Sequence, residues 1–187
     1  MREINVKNKK LPVIGIGTWR TGDNPKIKDQ EIEAIRYGLT HGANLIDTAE
    51  MYGSGRSERL IGQALDQLDR KNIFIISKFY PQNATPSLMR RSLENSLKRL
   101  GTDYLDLYLL HWRGNVPLKD TVSGLRQLKS EGLIKEWGVS NFDLDDMKEL
   151  FAIEGGNEVF ANEDYYNLGG RGIDFDLLPW QRNNRFL

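Results

Sequence analysis

The sequence contains no cysteine. That excludes a disulfide framework, a thiolate nucleophile and a thiolate metal site. Histidine is nearly as scarce, with His41 and His111 far apart, so no metal site is expected. No apolar run approaches the roughly 20 residues a membrane-spanning helix needs. The opening MREINVKNKKLP is polar and charged and lacks the apolar heart of a signal peptide, so a cytoplasmic protein is expected. Excess charge of either sign is missing too. With 26 basic and 26 acidic side chains, the chain offers nucleic acid or an anionic membrane no electrostatic attraction. Asn83-Ala84-Thr85 fits a glycosylation pattern, but without a secretion signal it reads as coincidence.

What is present is a regular alternation. Short apolar runs occur at Leu11 to Ile16, Ala43 to Ile46, Ile73 to Ile76, Leu105 to Leu110, Ile134 to Val139 and Glu158 to Ala161. Runs of this kind suit strands covered on both faces, as in a parallel sheet. Between them lie helical patterns. Gln30 to Leu39 carries Ile32, Ile35, Arg36 and Leu39 at helical spacing, capped by His41-Gly42. Ser57 to Leu68 presents Leu60, Ile61, Ala64, Leu65 and Leu68. Thr85-Pro86 starts a third helix with a hydroxyl cap and a first-turn proline, and Gly101 stops it. Leu118 to Lys129 and the Asp143-capped run Leu144 to Phe151 complete the pattern. Residues 1–187 read as a single domain, long enough to bury roughly 70% of the unfolded surface.

Repeated βα units require parallel strands and right-handed crossovers, leaving a doubly wound sheet or a (β/α)8 barrel. The polar residues decide between them. Asp47 ends the second run and Tyr52 follows it; Lys78 closes the third, His111-Trp112 the fourth, Ser140-Asn141 the fifth and Asn162-Glu163 the sixth. Polar groups at the carboxyl ends of successive strands converge on one mouth in a barrel, whereas a doubly wound sheet has its crevice at one switch point. The barrel fits better.

Reducing a carbonyl requires an acid that delivers a proton to oxygen as charge builds there. A tyrosine, at a pKa of about 10, needs help. An adjacent ammonium lowers that value, and a carboxylate holds the ammonium in place. Asp47, Tyr52, Lys78 and His111 supply these parts.

The stretch Leu45-Ile46-Asp47-Thr48-Ala49-Glu50-Met51-Tyr52-Gly53 resembles the signature of the aldo-keto reductase family. Ser57-Glu58-Arg59-Leu60-Ile61-Gly62, Ile76-Ser77-Lys78, Asp103-Tyr104-Leu105-Asp106-Leu107 leading to His111-Trp112, and Gly138-Val139-Ser140-Asn141-Phe142 match in order. The resemblance implies NADP(H)-dependent reduction of an aldehyde or ketone, or the reverse oxidation. Tyr52 would be the proton donor, assisted by Lys78 and Asp47, and His111 would orient the carbonyl. Ser140, Asn141 and the position of Glu163 would hold the nicotinamide carboxamide, while Trp19 and Trp112 would line the pocket of a small carbonyl substrate.

Taken singly, each residue has a plainer reading. Asp47 could be a turn residue, His111 a core histidine, and the tryptophans packing. Lys78 in a barrel could be a Schiff-base lysine, making the protein an aldolase. A non-catalytic binding or regulatory protein on the same scaffold is the other rival. His41 reads as structural at a helix end, and Gly15-Ile16-Gly17 and Gly53-Ser54-Gly55 as turns rather than phosphate loops.

The chain also departs from the resemblance. Asp174 to Trp180 reads as a sixth helix, after which Gln181 to Leu187 supplies no seventh strand. About six of eight βα units are then present, and the loops expected to hold the cofactor phosphates are not among them. Weak NADPH binding, little or no turnover, and self-association through open sheet edges are the expectations. Glu163 stands where the family has glutamine, and Asp164 where it has an apolar residue. Glutamate accepts a hydrogen bond but donates none while ionised.

Overall fold

The structure is a computed structural model and describes residues 1–187 except Asn8, Arg185 and Leu187. The terminal stretch in which the sequence shows no seventh strand therefore lies partly outside the described residues.

Six strands form one parallel sheet in simple chain order: β3 (Ile16–Gly17), β4 (Leu45–Asp47), β5 (Phe74–Phe79), β6 (Leu105–Leu110), β7 (Ile134–Ser140) and β8 (Asn162–Glu163). Consecutive strands pair because each crossover carries a helix that packs back on the same face. The crossovers contain α1 (Lys28–Thr40), α2 (Arg56–Ala64), α3 (Pro86–Leu100), α4 (Leu118–Ser130) and α5 (Leu144–Phe151), and α6 (Leu177–Asn183) follows β8. The result is an open, strongly curled sheet of the (β/α)8 type. No helix among the described residues is long and apolar enough to cross a membrane.

Strand alternation divides the core in two. Ile46, Ile75, Phe79, Tyr108, Leu110, Trp137 and Val139 point outward and pack under the helices, joined by Met89, Leu93, Leu125 and Met147. Ile76, Leu107, Leu109 and Phe160 point inward, against Leu45, Phe74 and Ala161. Burying each such side chain contributes about 1.5–3 kcal/mol. The inner cluster is closed at the amino ends of the strands by a hairpin, β1 (Glu3–Val6) with β2 (Lys9–Pro12). Val6 and Leu11 pack on it, and Lys7 Nζ donates to Val159 O at 2.7 Å. The opposite end of the inner face is left for polar side chains.

Several boundaries differ from the sequence reading. Leu11 to Ile16 is two elements, because the end of the hairpin and the first barrel strand share that apolar run. Glu158 to Ala161 is not the sixth strand. Gly156–Glu158 is a 3-10 turn, and the pairing with β7 falls on Asn162–Glu163 instead. The second helix stops at Ala64 rather than Leu68. Arg36, counted on the apolar stripe of α1, instead sends its guanidinium to Ala64 O at 3.1 Å and Gln63 O at 3.0 Å. Thr85 is the N-cap of α3 in extended conformation, but its hydroxyl makes no cap bond. Pro86 in the first turn and left-handed Gly101 bound that helix as expected. Asp143 caps α5 in a capping box with Asp146, and His41 closes α1, its Nδ1 2.7 Å from Tyr37 O.

Candidate active site

The inward rows of the strands end on polar residues. On β5 the row runs Phe74, Ile76, Lys78; on β6 it runs Leu107, Leu109 and then His111 just past the strand. Period two gives the same direction to Asp47 after Leu45, to Ser140 after Gly138 and to Glu163 after Ala161. Register sets them side by side, with Asp47 opposite Ile76, Lys78 opposite Leu109 and Ser140 opposite Glu163.

Lys78 is the centre of the group and is fully buried. Its Nζ donates to Asp47 Oδ1, and lies 3.3 Å from Thr48 O and 3.1 Å from Glu163 Oε1. Burial disfavours the ammonium, but the carboxylates of Asp47 and Glu163, with Tyr52 once it ionises, outweigh it and raise the lysine pKa. Lys78 is therefore a charged ammonium, not a free amine. Burial pushes Asp47 up to about 6; Lys78 opposes that shift and Glu163 adds to it.

Tyr52 reaches this cluster from a tight corner. Glu50 Oε1 accepts Tyr80 N at 2.7 Å and Asn83 Nδ2 at 3.1 Å, tying the loop to the end of β5. Gly53, Ser54 and Gly55 then take φ of 57°, 54° and 82°, which turns the chain into α2 immediately after Tyr52. Lys78 Nζ stands 5.4 Å from the Tyr52 ring centroid, and the His111 ring meets Tyr52 edge-on at 5.9 Å. The sequence leads one to expect a tyrosine pKa lowered by lysine. The net shift is upward: burial raises it, Lys78 lowers it, and Asp47 and Glu163 raise it again.

His111 is buried, and its pKa falls to about 4 through burial and the nearby Lys78 charge. It is a neutral imidazole at neutral pH. Its Nδ1 is buried and meets no partner among the described residues. Trp112 stacks obliquely on His111 at 4.8 Å and edge-on against Tyr80 at 5.9 Å. Trp19 is separate: it is 69% exposed, with the Arg20 guanidinium over its ring at 5.2 Å.

Ser140 and Asn141 join the group through hydrogen bonds. Ser140 Oγ donates to Glu163 O at 2.9 Å, and Asn141 Nδ2 donates to His111 O and Ser140 Oγ, each at 3.0 Å. Asn141 holds φ at 56°, a left-handed conformation uncommon away from glycine. Asp164, next to Glu163, is pushed up to about 6 by burial.

Two supports escaped the sequence reading. Thr18, Thr48 and Ser57 form a buried hydroxyl cluster, with Ser57 Oγ donating to Thr18 Oγ1 at 2.8 Å and lying 3.0 Å from Thr48 Oγ1. Thr18 N and Oγ1 both donate to Asp47 O, so the cluster fixes the end of β4. Glu58 is fully buried, accepting Ser77 Oγ at 2.7 Å and Arg99 Nε at 2.6 Å. Glu58 ties α2 and α3 to the strand that carries Lys78. Its signals were its place in the stretch Ser57 to Gly62 and a charge on the buried face of an otherwise apolar helical pattern.

Comparison with known proteins agrees with this architecture. The Aldo/keto reductase family profile matches residues 13–172. Methylglyoxal reductase YeaE of Escherichia coli (strain K12) is 48% identical over 170 residues, covering 91% of this chain and 60% of the relative. Aldo-keto reductase YhdN of Bacillus subtilis (strain 168) is 34% identical over 185 residues, covering 92% and 55%. A crystal structure of an aldo/keto reductase from Klebsiella pneumoniae in complex with NADP and acetate superposes with a TM-score of 0.92 at 46% identity, covering 96% of this chain and 63% of that one. The chain thus spans a little under two thirds of the length of these relatives. It belongs to the aldo/keto reductase family.

Proposed function

We propose that the protein reduces small aldehydes or ketones to alcohols, with NADPH as cofactor and Tyr52 as proton donor. The observation that carries this reading is the ion pair of buried Lys78 with half-buried Asp47 beside the Tyr52 ring, with the neutral His111 ring edge-on to it. The 48% identity to a methylglyoxal reductase supports a small aldehyde as substrate.

The residues present fit the nicotinamide end of the cofactor. The amide nitrogen of Asn141 is held by His111 O and Ser140 Oγ. Its oxygen is left as an acceptor for a carboxamide amino group, and the Glu163 carboxylate is a second acceptor. A reduced nicotinamide, when bound, supplies the hydride to the carbonyl carbon. Tyr52 gives its proton to the carbonyl oxygen, forming the O–H bond as the C=O π bond breaks. The Lys78 ammonium stabilises the phenolate left behind, and Asp47 keeps that ammonium in place. His111 orients the carbonyl. A buried N–H without a partner is costlier than an unmet lone pair, so the ring proton sits on Nε2 rather than on Nδ1. Trp112, stacked on His111, lines the substrate side, and we keep Trp19 as a pocket residue on the resemblance alone.

A raised lysine pKa argues against Lys78 as a Schiff-base nucleophile, which needs a neutral amine. A non-catalytic binding role predicts no hydride transfer at all. NADPH deuterated at the transferring position, at millimolar concentration with methylglyoxal, separates the readings. Deuterium in the product alcohol supports reduction, and its absence at saturating cofactor sinks it.

We further take residues 1–187 to be one folding unit working in the cytoplasm, which a single cooperative unfolding transition would support. Self-association through the edge strands β3 and β8 is the matching expectation for assembly. A concentration-independent monomer in sedimentation would contradict it.

A further inference from the structure

The carboxylate of Glu163 faces the same ammonium as Asp47. Its Oε1 is 3.1 Å from Lys78 Nζ, and β8 brings it there by pairing Glu163 with Ser140. One carboxylate on a buried ammonium makes a neutral pair. Two leave a net negative charge beside the Tyr52 ring, whose centroid is 5.4 Å from Nζ. We propose that Glu163 is a positioning residue for the acid: it shares the Lys78 ammonium with Asp47 and thereby keeps Tyr52 a phenol to higher pH than an amide at this position would. The inference rests on the reading of Tyr52 as proton donor.

The charges facing Tyr52 can be followed element by element. Asp47 comes from β4, Lys78 from β5, His111 from the end of β6 and Glu163 from β8. Asp164 stands next to Glu163 and is pushed up to about 6. Well above pH 6, His111 is neutral while Asp47 and Lys78 are charged and offset one another. Asp164 is ionised there as well, but the carboxylates acting on Tyr52 are those of Asp47 and Glu163. With both on one ammonium, Glu163 supplies the uncompensated charge facing the phenol, and a negative charge disfavours a second one there. The chemical consequence is directional. Reduction needs the phenol and alcohol oxidation needs the phenolate, so Glu163 favours reduction over a wider alkaline range.

Titration of the free protein, with neither cofactor nor carbonyl present, tests this. Phenolate absorbance is followed against pH for the wild type, Tyr52→Phe and Glu163→Gln, and subtracting the Tyr52→Phe curve isolates Tyr52. Absorbance reads the phenol even where its titration is coupled to that of Lys78. The Tyr52 midpoint falls by about one pH unit in Glu163→Gln if the proposal holds. A midpoint unchanged or raised in a folded variant overturns it. Glu163→Asp, whose shorter stem withdraws the carboxylate from Nζ, gives a smaller fall in the same direction; if Glu163→Gln does not fold, its unchanged midpoint is decisive. In turnover, the alkaline limb of the reduction profile moves down by the same amount. A protein that shows the absorbance shift but transfers no hydride keeps this coupling and loses the reductase reading instead.

Discussion

The side-chain amide of Asn141 donates to the backbone oxygen of His111 at 3.0 Å, stitching the end of one barrel strand to the next. Asn141 does so from a left-handed backbone, at φ 56°. Two effects therefore oppose each other in Asn141→Gly. Glycine relieves roughly 1 kcal/mol of backbone strain, and the two lost hydrogen bonds, to His111 O and Ser140 Oγ, cost about 1 kcal/mol each. Urea denaturation is expected to show a net change within about 1 kcal/mol. NADPH affinity, by fluorescence titration, falls about tenfold, as loss of one well-placed hydrogen bond implies. A large stability loss with unchanged affinity would reverse the assignment of Asn141 from binding to framework.

Two of the perturbed groups of the site, His111 and Asp47, tilt stability in opposite directions with pH. His111 is depressed from 6.5 to about 4, so the unfolded chain binds a proton there that the native state refuses. Its contribution is present above pH 6.5 and is lost as pH falls through about 4. Asp47 is raised from 3.8 to about 6, and its contribution is present below 3.8 and lost as pH rises through 6. His111→Gln should flatten the acid loss and Asp47→Asn should deepen it, in denaturation curves between those values. An imidazole resonance that vanishes in His111→Gln, yet titrates near pH 6.5 in the wild type, would contradict the depression of His111.

Gly138 marks the tightest approach in the sheet beneath Ser140. A Cβ there would meet Ala161 O at 2.4 Å and Leu109 Cδ2 at 2.7 Å. Backbone cannot give way as a flexible side chain can, so Gly138→Ala should cost about 1–3 kcal/mol. It should also weaken the β7–β8 pairing that brings in Glu163. Thermal unfolding checks the first part, and an unshifted transition refutes it.

Glu58 is expected to be a support rather than a reactant. Glu58→Gln leaves Arg99 with a neutral partner near a buried strand, and a loss of about 3 kcal/mol is expected. Arg99 is 21% exposed, so water recovers part of the penalty. A loss below about 1 kcal/mol would mean that the pair is screened like a surface bridge.

The placement of the polar residues along one rim was legible in the sequence because period-two alternation forces it. Once Ile76 and Leu109 are inward, Lys78 and His111 must follow them. Parallel chain order then lines up Asp47, Lys78, His111, Ser140 and Glu163 along one rim. The hairpin was not legible, since Leu11 to Ile16 is one apolar run serving two elements. The sixth strand was misplaced because Val159 is buried ahead of the ladder, and Phe160 only begins it by donating its N to Trp137 O at 2.8 Å, while the paired residues are the polar Asn162 and Glu163. Glu163 reads from sequence as a poorer amide. Only the register with Ser140 reveals that its carboxylate meets Lys78. The sign of the Tyr52 shift was equally hidden, because it depends on burial and on two carboxylates at once.

The proposed reaction turns on the proton carried by Tyr52. The most direct measurement is single-turnover deuteride transfer from NADPH to methylglyoxal in Tyr52→Phe against the wild type, with NADPH affinity measured alongside. Protein and cofactor are both at millimolar concentration, so that the low turnover expected of this chain is still read. Removing the acid should lower the transfer rate by about 100-fold or more and leave affinity unchanged. A transfer rate within a few-fold of the wild type would contradict it.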